Sequence, residues 1–258
     1  MNIVVLMKRV PDTETRIKIK DGQAVTEGIS WVISPYDEYA IEEALRLIEK
    51  YTGKVTLVCL GPEEAKETVR KGLALGADDA VHLNDPAFLN GDASATAKVL
   101  AAALKKMQFD LILAGKQAVD EDNAQVGIRV AELADLPHVN AVIKLELSDD
   151  KKSARCTREV DGDRDAVQTT LPAIITAQQG LNEPRYPSLK GIMGAKKKPI
   201  TDWKASDLGL DPGTVSAKLE LVAVEPPPAR PPGKIIPGDT AAASKELARL
   251  LREEAKVI

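Results

Sequence analysis

Residues 55–83 read VTLVCLGPEEAKETVRKGLALGADDAVHL. Val55-Thr56-Leu57-Val58-Cys59-Leu60 is a short continuous apolar run, which suits a strand buried on both faces. From Pro62 to Leu75 the residues Ala65, Val69 and Leu73 recur at helical spacing, and Ala80-Val81-His82-Leu83 is a second short apolar run. Strand, helix and strand in that order form the repeating unit of a parallel sheet with helices on its faces.

The same alternation extends in both directions. Residues 2–7, Leu111–Ala114 and Pro172–Ala177 read as further buried strands. Ala40, Ile41, Ala44, Leu45, Leu47, Ile48 and Tyr51 define a helix whose start is marked by Ser34 as N-cap, Pro35 at the first position and Asp37 at the third. Asp92 and Ser94 open another helix that runs to Met107. Asp21-Gly22 and Asp161-Gly162 each separate two short runs and predict antiparallel hairpins, the second with little apolar content and therefore suited to an edge or an interface.

Composition narrows the function classes. The chain has 258 residues, 44% of them apolar and 29% charged, so it is long enough to bury a core and is not disordered throughout. A net charge of −4 gives no case for nucleic acid, and an aromatic content of 3% argues against a base-stacking platform. No apolar run is long enough to span a bilayer and the N-terminus lacks the features of a signal peptide, so no stable membrane insertion and a cytoplasmic location are expected. Cys59 and Cys156 read as reduced core residues. His82 and His138 lie in apolar surroundings without a partner at ligand spacing, so neither a metal site nor a catalytic residue is expected.

The loop most suited to a ligand follows the strand at 111–114. It runs Ala114-Gly115-Lys116-Gln117-Ala118-Val119-Asp120-Glu121-Asp122-Asn123-Ala124-Gln125-Val126-Gly127 and enters a helix at Ile128–Leu133. Ligands of open α/β sheets sit beyond the carboxyl ends of the strands, and a helix N-terminus there offers free N–H groups to a phosphate. An acidic, solvated loop that merely caps a helix fits the spacing equally well. From about Pro184 the texture changes: prolines accumulate, Lys196-Lys197-Lys198 forms a basic run, and Glu225–Pro232 favours extended polyproline backbone. The chain ends in an amphipathic helix at 241–256 with Leu247, Leu250 and Leu251 on one face, to be covered by its own domain or by a partner subunit.

Several longer segments are more specific. LNEPRYPSLKGIMGAKKK at 181–198 closely resembles the signature of the β subunit of electron transfer flavoproteins. Lys8-Arg9-Val10, Pro35-Tyr36-Asp37-Glu38, Gly115-Lys116-Gln117-Ala118 and Arg158-Glu159-Val160-Asp161-Gly162 resemble the same family in the same order. The resemblance implies an adenine-nucleotide α-hydrolase-like, doubly wound α/β fold over residues 1–183, a recognition loop and basic run at 184–200, and a C-terminal arm at 201–258 whose helix packs on an α subunit.

What the resemblance implies for function follows position by position. The α subunit of such a heterodimer holds most of the redox FAD, and the β subunit helps to seat it without catalytic machinery of its own. A second pocket takes AMP, the preferred ligand here, or in bifurcating members a second FAD that oxidises NADH. Its ligands fall at Leu6, Asp37, Leu60, Asp120, Glu121, Asn123, Ala124, Gln125, Val126 and Gly127, with Tyr36 at a position that faces the flavin. Ala124–Gly127 resembles the bifurcating pattern, while Glu121 and Tyr36-Asp37-Glu38 resemble the AMP type. Pro184, Arg185, Tyr186, Leu189, Ile192 and Met193 fall in the segment that docks acyl-CoA or related dehydrogenases, Leu189 being the anchor, and a membrane-bound quinone oxidoreductase is compatible as acceptor. Glu159 falls where an acid orients the flavin domain. A stand-alone adenine-nucleotide-binding protein is the less favoured alternative.

Overall fold

The computed structural model describes residues 1–230 and 232–258. Its strands are β1 Asn2–Met7, β2 Arg9–Pro11, β3 Lys18–Lys20, β4 Gln23–Val25, β5 Trp31–Ile33, β6 Lys54–Leu60, β7 Asp79–Leu83, β8 Leu111–Gly115, β9 His138–Leu147, β10 Ser153–Val160, β11 Asp163–Thr170, β12 Ile174–Ala177 and β13 Ile200–Trp203. The helices are α1 Pro35–Tyr51, α2 Ala65–Leu75, α3 Ala93–Leu104, α4 Val126–Leu133, α5 Leu189–Ala195, α6 Ala205–Leu208 and α7 Thr240–Glu253.

Nine strands form one sheet in the order β11-β10-β9-β12-β8-β1-β6-β7-β13. The strands from β9 to β13 in that order are parallel, and the β10–β11 hairpin continues the sheet antiparallel. From β1 the chain winds outward through β6 and β7, then returns to place β8 and β12 on the other side of β1. The fold is therefore doubly wound, and the carboxyl ends of β1 and β8 flank the switch point. Alternate residues of the central strands feed two cores: Ile3, Val5, Leu57 and Leu113 pack with α1 and α2, while Val4, Val58, Ile112 and Ile174 pack with α3 and α4.

The helix starts have identifiable causes. Asp92 caps α3 by accepting from Ala95 N–H at 2.8 Å. Ser34 occupies the N-cap position of α1 as expected, but its hydroxyl is buried without a partner, so Pro35 and the acids of the first turn are left to favour the start. Both expected hairpins form, with positive φ at Asp21, Gly22, Asp161 and Gly162. The second makes the sheet edge, where β11 exposes Asp163, Arg164 and Asp165.

The chain departs from the expected layout after residue 183. Its larger compact unit comprises residues 1–18 and 25–222, so residues 201–222 belong to the α/β body rather than to the arm. β13 pairs with β7, Trp203, Leu208 and Leu210 pack on the α3 side of the core, and Ala205 and Val215 are buried. The proline-rich stretch read as an extended arm, Glu225–Pro232, lies beyond this segment, and its residue 231 is outside the described residues. The smaller unit comprises residues 19–24 and 223–258, joined by a Val224 N–H bond to the Gly22 carbonyl at 2.9 Å. α7 is capped by Asp239 and carries Arg249 paired with Glu246 and Glu253, yet none of its residues is buried.

Lys198 and Arg70 hold the segment after α5. The Lys198 ammonium donates to the carbonyls of Leu73, Gly76 and Ala77 at the end of α2, and Arg70 donates to the carbonyls of Ala195 and Lys198 at 2.7 and 2.5 Å. Arg70→Met leaves two carbonyls without their charged donor and is expected to lower unfolding free energy by about 1.5–3 kcal/mol, read from urea denaturation. A loss below about 0.5 kcal/mol would show that the segment after α5 is held without Arg70, by packing and the Lys198 bonds.

Candidate functional site

Asp37 sits at the centre of the carboxyl end of the sheet. α1 begins after β5 and aims this side chain inward, where Oδ2 accepts from the Lys8 N–H at 2.7 Å and Oδ1 from the Gly115 N–H at 2.8 Å. One carboxylate thus joins the ends of β1 and β8 across the switch point. Gly115 has no alternative there, because a Cβ would lie 2.5 Å from Asp37 Oδ1 and 2.7 Å from Tyr36 Cβ. Asp37 is 6% exposed. Burial pushes its carboxyl up to about 7, against the two backbone N–H bonds and the Lys8 charge.

Above this floor lies a cavity of about 530 Å3, within the range of small-molecule sites. Its walls include Leu6 and Lys8 at the end of β1, Leu60 at the end of β6, and the loop Asp120, Glu121, Asn123, Ala124, Gln125, Val126 and Gly127 before and into α4. The fold therefore brings together every cofactor residue anticipated from the sequence except Tyr36. That ring is half-buried outside the cavity wall, with the Lys116 ammonium 5.5 Å from its centroid. Residues not anticipated also line it, among them Arg9, Phe88–Gly91, Thr96 and Leu100. Asn90, with φ of 58°, carried a turn signal, but nothing local tied it to this site.

The loop before α4 is built to present backbone. Asp122 and Ala124 have φ of 52° and 51°, which costs a non-glycine residue roughly 1–2 kcal/mol. Gln125 stands at the N-cap, but its side chain accepts from Arg129 Nε and Nη2 instead of capping the helix. The N–H groups of Val126, Gly127 and Ile128 consequently have no acceptor among the described residues. A Cβ on Gly127 would lie 2.9 Å from Thr176 Cγ2, so glycine lets α4 close on β12. Lys8 pairs with Asp120 at 2.9 Å and Glu121 at 3.5 Å, holding two carboxylates at the cavity mouth. Free N–H groups beside a walled cavity fit a phosphate-bearing nucleotide.

The anticipated docking segment has an inner and an outer side. Arg185 turns inward: it bonds Glu42 Oε2 at 2.7 Å and Glu49 Oε1 at 2.5 Å, while Asn182 donates to Glu43 and to the Tyr39 carbonyl. Burial opposes the charge on Glu42, but hydrogen bonds from Arg185 and Arg46 hold its carboxyl below the usual range. Pro184 is half-buried beside Arg185, and beyond it Tyr186, Leu189, Ile192 and Met193 are exposed by 96%, 75%, 47% and 66%. Gly191 lets α5 approach α2, since a Cβ would strike the Ala74 carbonyl.

Glu159 is exposed on β10, accepts from Gln178 Nε2 at 3.0 Å and lines a second cavity with Lys144 and Arg164. His82 is not partnerless. It is fully buried with Nδ1 3.0 Å from Asp202 and Nε2 3.1 Å from the Gly61 carbonyl; Asp202 lies 120 residues away in sequence, which sequence spacing does not reveal. His138 is exposed at the start of β9. Both cysteines are free and buried.

Comparison with known proteins places the chain in a family. A family model described as electron transfer flavoprotein domain matches residues 21–208. The electron transfer flavoprotein subunit beta of Bacillus subtilis (strain 168) is 47% identical over 259 aligned positions, covering 100% of each chain. The chain belongs to the electron transfer flavoprotein β-subunit family. The human electron transfer flavoprotein subunit beta is 39% identical over 258 positions, covering 97% of this chain and 99% of the relative. The CarD subunit of the caffeyl-CoA reductase-Etf complex of Acetobacterium woodii is 39% identical over 246 positions, 93% of each chain. Membership in the electron transfer flavoprotein β family carries an electron-transfer role and an α subunit as partner. Among the described residues no helix is long and apolar enough to cross a membrane.

The raised Asp37 carboxyl has a signed consequence. The folded chain holds this proton up to about pH 7, whereas the unfolded chain releases it near 3.8, so this group's contribution is full below about pH 4 and is lost as pH rises through 7. Wild type should lose stability relative to Asp37→Asn over that window, measured as urea midpoints of both proteins across pH. Parallel profiles would remove the assignment.

Proposed function

We propose that this chain is the β subunit of a heterodimeric electron transfer flavoprotein that helps to seat an FAD held mostly by the α subunit, binds AMP in its own cavity and docks acyl-CoA or related dehydrogenases. The observation that carries the AMP reading is the pairing of an uncapped α4 N-terminus with the carboxylates Asp120 and Glu121 at the same mouth. The N–H groups of Val126, Gly127 and Ile128 suit one phosphate, and the two carboxylates oppose the second phosphate of a dinucleotide. AMP there is structural. The bound FAD supplies the redox chemistry, and Glu159, exposed on β10, serves as the acid that orients the domain carrying it.

A second reading places another FAD in this cavity, making the complex an NADH-oxidising, bifurcating oxidoreductase. Its support is the extent of the wall, which continues from the α4 loop past Lys116 to Phe88–Gly91. A stand-alone nucleotide-binding protein is disfavoured by α7, which has an apolar stripe and no buried residue. Release and quantification of cofactors from the co-purified α/β complex separates these readings. One FAD and one AMP per complex is the expected result; two FAD and no AMP would replace it with the bifurcating reading, and nucleotide on an isolated β chain alone would favour the third.

Docking is assigned to the outer side of residues 184–193. Arg185 anchors the segment on Glu42 and Glu49, and Leu189 projects from it into solvent. An exposed leucine on a fixed support is suited to fill a partner pocket as a hot spot worth about 2 kcal/mol. Leu189→Ala should therefore keep FAD content and heterodimer assembly while slowing reduction by the dehydrogenase about 30-fold at subsaturating concentration. Unchanged reduction kinetics would remove Leu189 as the anchor.

A further inference from the structure

Arg9 stands in the cavity wall without a hydrogen-bond or ion-pair partner among the described residues. Pairing of β2 with β5 sets Arg9 opposite Ile33 and Pro11 opposite Trp31. The guanidinium carbon lies 3.8 Å from the Trp31 ring centroid, which fixes the plane of the group and covers one of its faces. Nε is sealed from solvent without a hydrogen-bond partner among the described residues. Glu64 and Glu67, where α2 begins, attract the charge from a distance but do not bond it, and burial works against it. Arg70 and Arg185 differ, because each meets two acceptors within the chain.

A buried donor left unpaired costs on the order of 1–3 kcal/mol, and such groups in folded proteins mark a missing partner. The site constrains that partner. With one guanidinium face on the indole and Nε sealed, the donors open to a partner are those of the two Nη groups, a fork that matches two oxygens of a phosphate or carboxylate. Arg9 lines the same cavity as Lys8, Gly61 and Pro62 and as Val126 and Gly127 of the uncapped α4 N-terminus.

We propose that Arg9 is an oxyanion-binding residue of the cavity wall whose anion comes from outside this chain. The source is the phosphate of the bound nucleotide or a carboxylate of the α subunit, and only the first rests on the nucleotide reading above. Arg9→Met keeps the aliphatic stem over Trp31 and removes every N–H, while Arg9→Lys keeps the charge and removes the fork.

The test uses the full α/β complex stripped of its cavity ligand and titrated calorimetrically with AMP and with adenosine. For the phosphate source, Arg9→Met weakens AMP at least 10-fold, leaves adenosine within 2-fold, and Arg9→Lys recovers part of the loss. For the carboxylate source, the preference for AMP over adenosine is intact and the dissociation constant of the heterodimer rises at least 10-fold. Changes below 2-fold in both measurements overturn the proposal. So does an equal loss of AMP and adenosine accompanied by a lower unfolding midpoint, which would mean that Arg9 only supports Trp31. If the wild-type complex binds neither AMP nor adenosine, the nucleotide reading fails by itself and subunit affinity still decides the role of Arg9.

Discussion

A parallel sheet that reverses its winding direction opens a gap between the two strands at the reversal, and in this protein Asp37 closes it. Each of its oxygens takes one backbone N–H, Lys8 from β1 and Gly115 from β8, so the two halves of the winding are tied by one side chain. The cavity wall depends on that tie. Lys8 leads directly to Arg9 and β2, and Gly115 leads directly to the loop that feeds α4. A carboxylate held by two N–H donors is rigid and short, which keeps both departing loops in register with the floor.

α1 extends the same logic to a second part of the molecule. Its first turn carries Asp37 into the cavity, and its later turns carry Glu42, Glu43 and Glu49, which hold the 182–185 segment through Asn182 and Arg185. One helix thus positions both the cavity and the 182–185 segment. Tyr186, Leu189, Ile192 and Met193 stay exposed because the chain on both sides of them is fixed, by Arg185 before and by Arg70 and Lys198 after.

The fold was legible where burial was complete and local chemistry agreed with it. The 55–83 unit, the helix after Ser34 and the two Asp-Gly hairpins belong to that class. β13 was not legible: Ile200-Thr201-Asp202-Trp203 is four residues long, covered on one edge only, and carries no two-face apolar pattern. β9 was obscured because it serves two partners, β12 parallel in its first half and β10 antiparallel in its second, with Ala141 at a φ of 57° between them. For the site, the residues of the α4 loop were adjacent in sequence and could be named together. The inward turn of Arg185, the tie between His82 and Asp202, and the contribution of Phe88–Gly91 arise from contacts between distant segments, which no spacing rule encodes.

The rim of the sheet has a consequence for how the protein meets others. β11 ends the sheet with Asp163, Arg164 and Asp165 turned to solvent. Charged side chains along an edge strand discourage another chain from adding to the ladder. At this edge main-chain pairing, which is nearly indifferent to sequence, is thereby discouraged, and the docking proposed above relies on side chains of the 184–193 segment. Under that proposal such positions can be exchanged without moving a strand, so a single scaffold could be retuned toward different protein partners while its cavity stays intact.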